Sequence, residues 1–297
     1  MPRLRLDRAL SLSPLSRLLA GRGPGVPILM YHSVGSATKA RHPYYETNIS
    51  AATFERHLQF LKQEGYRTAY VSDVVETLQH RIDVQKLVAI TFDDGFRSFY
   101  TLAFPLLSEY GFNATLFIPS GLVGKQGSSL GPEPFMTWNE IREVHKNGVR
   151  IGSHSVNHPD LYRLDSRSLE KEIRHSKMTI EDNTGDGVRS FAYPFAFPAH
   201  DQSFSRRFGA LLEQSGYDNG VCTVIGTAHR SHDRYILPRL PVNSHDDSAL
   251  FEAKLKGNYD WLHAPQYARK VLKALFSNRR PVQVSAKSAA AQWTSQS

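Results

Sequence analysis

The chain has 297 residues, 40% of them hydrophobic and 22% charged, enough to bury a substantial core in one large domain. Nothing approaches the roughly 18 uninterrupted apolar residues that cross a bilayer, and a single cysteine, Cys222, excludes an internal disulfide and a structural zinc site built from cysteines. The formal charge of +8 would suit a polyanion, but the basic residues are spread out rather than interleaved with aromatics, so nucleic-acid binding is not expected.

The first twenty residues mix Leu with Arg, Ser and Asp7, and these charges interrupt any signal-peptide core. They read as an unstructured leader or as an amphipathic helix with Leu10, Leu15, Leu18 and Leu19 on its apolar side. A cytoplasmic location, with peripheral contact to a membrane surface as a variant, is the matching expectation. An apolar run follows at 26–31, then helical patterns at 52–64 and 71–78, a second run at 87–92 and a helix at 99–110. Further runs at 115–118, 149–152, 190–193, 220–224 and 235–240 alternate with helical patterns at 138–147, 166–183 and 203–215. The runs are apolar on both faces, as strands of a parallel sheet or barrel are, and seven strand–helix units predict an α/β fold closed into a barrel. Gly65, Gly111, Gly148 and Gly216 each stand where a helix should end. The glycine- and proline-rich segment 121–134 lacks the spacing of a phosphate-binding loop and reads as a flexible surface loop. Helices are expected again at 249–256 and 267–276, before a polar tail.

Three features carry chemistry. The run 87–92 ends in Asp93-Asp94-Gly95, and because side chains alternate along a strand, adjacent carboxylates point differently and can divide the labour between a metal and a proton. An Asp-Asp-Gly turn without function would look the same. The run 149–152 leads into His154 and His158, four apart, which can converge on one ion if the chain turns between them. A His-His-Asp set leaves coordination positions open for water and substrate. Arg239, at the end of the last run, is a cation that can pair with Asp93 and hold it ionised.

Taken together, TFDDG at 91–95, HSVNH at 154–158, FAYPF at 191–195 and LPR at 237–239 resemble the polysaccharide deacetylase family (NodB-homology, carbohydrate esterase family 4-like), and ILMYHSV at 28–34 is similar to the first strand of its exopolysaccharide branch. The resemblance spans about residues 27–242. It implies a distorted (β/α)7-type barrel that holds Zn²⁺, or Co²⁺ or Ni²⁺, on Asp94, His154 and His158. It also implies Asp93 as general base, Arg239 as its orienting partner and the Phe195 N–H as oxyanion donor. A divalent ion there acidifies water and polarises an acetamide carbonyl. Three departures stand out: Ala192 where many members carry Arg, Phe195-Ala196 where Tyr-Gly is common, and no late Leu-x-Leu-His segment. His32 is the leading substitute for the missing acid and His245 the second.

The expected organisation is a leader over 1–25, a catalytic barrel over 26–245, a helical extension over 246–278 and an unstructured tail over 279–297. The expected activity is hydrolysis of N-acetyl groups on an amino sugar in an oligosaccharide, polysaccharide or lipid-linked glycan. The alternatives are an O-acetyl sugar esterase and a carbohydrate-binding barrel that has lost turnover.

Overall fold

The computed structural model describes residues 5–14, 16, 25–35, 46–80 and 82–276. Its centre is a ring of seven parallel strands: β1 (Ile28–Tyr31), β5 (Leu87–Phe92), β6 (Thr115–Ile118), β7 (Arg150–Ser153), β8 (Ser190–Ala192), β9 (Asn219–Ile225) and β10 (Leu237–Pro241). Leu29 pairs with Ile90 on one side and with Leu240 on the other, so β1 closes the ring between β5 and β10. The seven apolar runs of the sequence are these seven strands. Three short strands were not foreseen: β2 (Ser33–Val34) pairs with β3 (Asn48–Ile49), and β4 (Arg67–Ala69) pairs with the first half of β5. Two or three residues are too few to establish a period.

Strand parity divides the core in two. Ile28, Ala89, Phe117, Ala192, Val221 and Leu237 belong to one buried cluster inside the ring, while Leu29, Ile90, Leu116, Ile118, Phe191 and Leu240 face the surrounding helices. Phe117 fills the interior against Gly152, where an added Cβ would lie 2.4 Å from its ring. Ala51–Gln63 forms α2, after the N-terminal helix described below; Ser50 caps it by accepting the Thr53 N–H at 3.1 Å, and Phe54, Leu58 and Leu61 are its buried stripe. Val71–Gln79 forms α3, whose Val71, Val74, Val75 and Leu78 join the inner cluster and close the ring at its strand-entry end.

The helix expected at 99–110 begins as a π-helical turn, Phe99–Ala103, and continues as α4 (Phe104–Tyr110). Pro105 lacks the N–H that would bond the Thr101 carbonyl, so the regular ladder cannot start earlier. Next come α5 (Trp138–Lys146), α6 (Ser166–Thr184), α7 (Gln202–Gln214), α8 (Ser248–Leu255) and α9 (His263–Phe276). The four glycines expected to stop helices all take positive φ, from 70° to 93°. The segment 121–134 is less loose than its composition suggests, since Leu122 and Phe135 pack with Phe96 in a small buried cluster.

The N-terminal helix α1 (Leu6–Ser11) docks through polar groups rather than an apolar stripe. Arg5 donates to the His245 carbonyl at 2.7 Å, Arg8 pairs with Asp247 at 2.7 Å, and Trp261 Nε1 donates to Ser11 Oγ at 3.0 Å. Leu10 is exposed, and Leu15, Leu18 and Leu19 lie outside the described residues, as do residues 277–297, which include the expected tail over 279–297. Residues 5–12 are therefore not an unstructured leader. In α9, Gln266 and Lys270 bond the backbone at Thr223 and Phe197, which packs this helix on the ring. No helix among the described residues is long and apolar enough to cross a membrane.

His57 of α2 is buried with its ring stacked on Phe251 at 3.9 Å. Nε2 lies 3.0 Å from the Asp246 carbonyl, which can only accept, so Nδ1 is the lone-pair nitrogen facing the Tyr31 hydroxyl at 3.3 Å. Burial lowers its pKa to about 4. The unfolded chain binds this proton near pH 6.5 and the folded one does not, so stability is full above pH 6.5 and declines as pH falls toward 4, by up to roughly 3 kcal/mol. Urea titrations at pH 7 and pH 5 should show the decline in the wild type and a smaller one in His57→Gln.

Candidate active site

The site lies where the ring strands end. Asp93 continues the inward parity of Ala89 and Thr91, and φ values of 70° at Asp94 and 66° at Gly95 then swing the chain so that Asp94 is presented beside its neighbour. Next to it, Ser155 (φ 66°) and His158 (φ 54°) turn the segment after β7 back on itself, with the His158 N–H bonded to Ser155 Oγ at 3.0 Å. Among the described residues only five non-glycines have positive φ; Asp94, Ser155, His158 and Phe195 are four of them. Backbone strain of this kind persists where the surrounding structure enforces it and clusters at functional sites. Glu172 of α6 holds the turn, accepting the Val156 and Asn157 N–H groups at 2.8 and 2.9 Å.

Asp94 Oδ1 stands 3.5 Å from His154 Nε2 and 3.3 Å from His158 Nε2, and one ligand atom from each residue lies within 4.8 Å of the others. His154 Nδ1 is 2.8 Å from the Ala192 carbonyl, which can only accept, so Nδ1 carries the hydrogen and a neutral ring turns the Nε2 lone pair toward Asp94. Two acceptors facing each other in a buried place call for a shared proton or a metal cation between them. Asp94 Oδ1 has no hydrogen-bond partner despite its burial, and nor does His158 Nδ1. Burial, then the neighbouring His154, push the His158 pKa down to about 4, leaving the neutral imidazole that ligates metal. Burial opposes charge on His154, but Asp93 and Asp94 outweigh it and raise its pKa, so the cluster attracts positive charge. The residues fit a divalent ion: two imidazoles and one carboxylate with room left for water and substrate.

Asp93 forms a second unit with Arg239, whose Nη1 and Nη2 donate to Oδ1 and Oδ2 at 2.6 Å each. Both side chains are buried. Burial alone would raise the Asp93 pKa, yet Arg239 first, then His154 and His32, hold it well below the ordinary carboxylate range. The guanidinium lies 5.8 Å above the Phe117 ring and also donates to Thr91 Oγ1, so its position is fixed from three sides.

His32, partly exposed at the end of β1, lies close enough to act electrostatically on Asp93, Asp94 and His158. His245 is instead engaged by Glu46 at 2.7 Å. Phe195 keeps its left-handed φ of 56° despite being neither Tyr nor Gly, and its carbonyl accepts from Thr223 Oγ1 at 2.9 Å. Its N–H donates to no backbone carbonyl among the described residues, and its half-exposed ring stands 4.5 Å from that of His158. Asp93, Asp94, His154, His158, Arg239, His32 and Phe195 thus lie at the same end of the barrel. Sequence reasoning missed Glu172, the Ala192 carbonyl and the Ser33–Ser98–Glu133 group described below, because contacts between distant segments leave no local pattern.

The sequence model described as polysaccharide deacetylase matches residues 80–219. YxkH of Bacillus subtilis, a protein classed with the polysaccharide deacetylases, is 30% identical over 232 residues, covering 78% of this chain and 76% of its own length. The poly-β-1,6-N-acetyl-D-glucosamine N-deacetylase of Staphylococcus aureus is 21% identical over 225 residues, 73% of each chain. The deacetylase PplD of Streptococcus pyogenes, solved in complex with acetate, superposes with a TM-score of 0.68 at 24% identity over 79% of this chain and 99% of its own, a likeness of fold. With the barrel and the order of its motifs alongside these matches, the chain belongs to the polysaccharide deacetylase family.

Proposed function

We propose that this protein is a divalent-metal-dependent hydrolase that removes N-acetyl groups from a glycan of amino sugars, with the S. aureus relative pointing to β-linked N-acetylglucosamine as the substrate class. The observation that carries the reading is the convergence of Asp94, His154 and His158 beside an ionised, buried Asp93. The donor set suits Zn²⁺ best, with Co²⁺ or Ni²⁺ as substitutes. A cation held there supplies a Lewis acid for the acetyl carbonyl and makes water acidic enough to attack an amide near neutral pH.

The residues divide the remaining work. Asp93, kept ionised and oriented by Arg239, takes the proton of the attacking water. The Phe195 N–H donates to the oxygen that gains charge as the carbonyl becomes tetrahedral. His32, whose charge acts on Asp93 and Asp94, gives a proton to the departing amine. The Ala192 carbonyl keeps the His154 ring turned so that Nε2 faces Asp94, where it would help to hold the cation.

Purified protein should carry about one divalent ion per chain by elemental analysis and release acetate from N-acetylated oligosaccharides. Chelation should abolish release and Zn²⁺ should restore it. Asp94→Ala should lose both the ion and the activity; an Asp94→Ala protein that keeps its metal refutes the ligand set. Running O-acetylated sugars beside N-acetylated ones separates the amidase from the esterase, and binding without release identifies a barrel that has lost turnover.

A further inference from the structure

A third carboxylate stands at the mouth of the site, brought there by a segment far from both aspartates. Residues 133–136 are clamped to the chain leaving Asp94: Arg97 N–H donates to the Pro134 carbonyl at 2.8 Å, Met136 N–H to the Gly95 carbonyl at 3.0 Å, and Phe135 packs its ring 5.2 Å from Phe96. This places the Glu133 carboxyl beside the hydroxyls of Ser98 and Ser33, the residue after His32. Both hydroxyls have already accepted a bond, Ser33 Oγ from Asn48 Nδ2 at 2.9 Å and Ser98 Oγ from the Val34 N–H at 3.2 Å. Their own protons are therefore free to be donated toward Glu133.

Glu133 is half-buried, and no Lys or Arg among the described residues pairs with it. Burial keeps its pKa above the usual carboxyl value, and the nearby Asp94 charge adds to that. A half-buried carboxylate with lone pairs to spare, near the Asp94–His154–His158 cluster, is suited to hydroxyl donors, and a pyranose ring carries several.

We infer that Glu133 is a substrate-binding residue, accepting a hydrogen bond from a ring hydroxyl of the sugar whose acetamide lies over Asp94, His154 and His158. The inference rests on the amino-sugar deacetylase reading above. Glu133 would select for a sugar and set its orientation without touching the acetyl group.

The test compares wild type, Glu133→Gln and Glu133→Ala on two substrates: a β-linked N-acetylglucosamine tetramer and an aryl acetate that lacks sugar hydroxyls. Glu133→Ala should lower kcat/KM for the tetramer by about 10- to 100-fold, the scale of one hydrogen bond to a charged group, and Glu133→Gln, whose amide oxygen still accepts, by less. Aryl acetate hydrolysis and bound metal should stay at wild-type levels in both variants, which also shows that they are folded. Tetramer turnover within twofold of wild type in Glu133→Ala overturns the inference alone. A parallel fall on aryl acetate overturns it too, because Glu133 then serves the chemical step or the fold. Wild-type protein that cleaves aryl acetate but never the tetramer overturns the amino-sugar reading and this inference together.

Discussion

Asp93→Asn is expected to lower kcat for acetate release by about 10³-fold or more while leaving the metal in place. An amide cannot accept the proton of water, and loss of a positioned general base removes roughly 10²- to 10⁴-fold in rate. The change also halves what Arg239 can bond, because one carboxylate oxygen becomes an NH₂ that faces the guanidinium instead of accepting from it. Asp94, His154 and His158 keep their own contacts, so elemental analysis should still find about one ion per chain. Activity above a tenth of wild type would remove Asp93 from the role of base. Loss of metal along with activity would place Asp93 among the ligands.

Arg239→Met should destabilise the fold by about 3–5 kcal/mol, the cost of leaving a buried charge without its partner. Arg239 is fully buried and Asp93 nearly so, and water cannot replace either hydrogen bond without opening the ring. Methionine retains the unbranched stem beside Phe117, so little of the loss should come from packing. The informative comparison is the double variant Asp93→Asn, Arg239→Met, which removes both charges and should recover much of the stability lost by the single change while remaining inactive. Urea unfolding midpoints for the wild type, both singles and the double complete the cycle. A single Arg239→Met variant with the wild-type midpoint would mean that the pair contributes nothing to the fold.

The elements that could be read from the sequence share one property: their signal is local and repeated. Seven runs apolar on both faces could only be strands covered on both sides, and β5, buried at every position, illustrates why. The candidate metal ligands were legible because each sits shortly after such a run, and joint occurrence narrowed what single motifs left open. The docking of α1 was not legible. Its anchors are Arg5, Arg8 and Ser11, and the partners they bond, such as Asp247 and Trp261, lie some 240 to 250 residues away. Periodicity pointed to the leucines instead. For the same reason the carboxylate of Glu133 passed as part of a loop: its meaning depends on Ser33 and Ser98, which reach it only once the barrel has formed.

The place of β1 between β5 and β10 bears on how the molecule comes into being. An early strand finds its second neighbour only when residues 237–241 have been made, so one seam of the ring stays unsealed while some two hundred residues are synthesised. Until then the β1 and β9 flanks present bare amides to any extended peptide nearby. The arginine that steadies Asp93 arrives on that last staple, so catalytic competence and closure of the seam are a single event in the life of the chain.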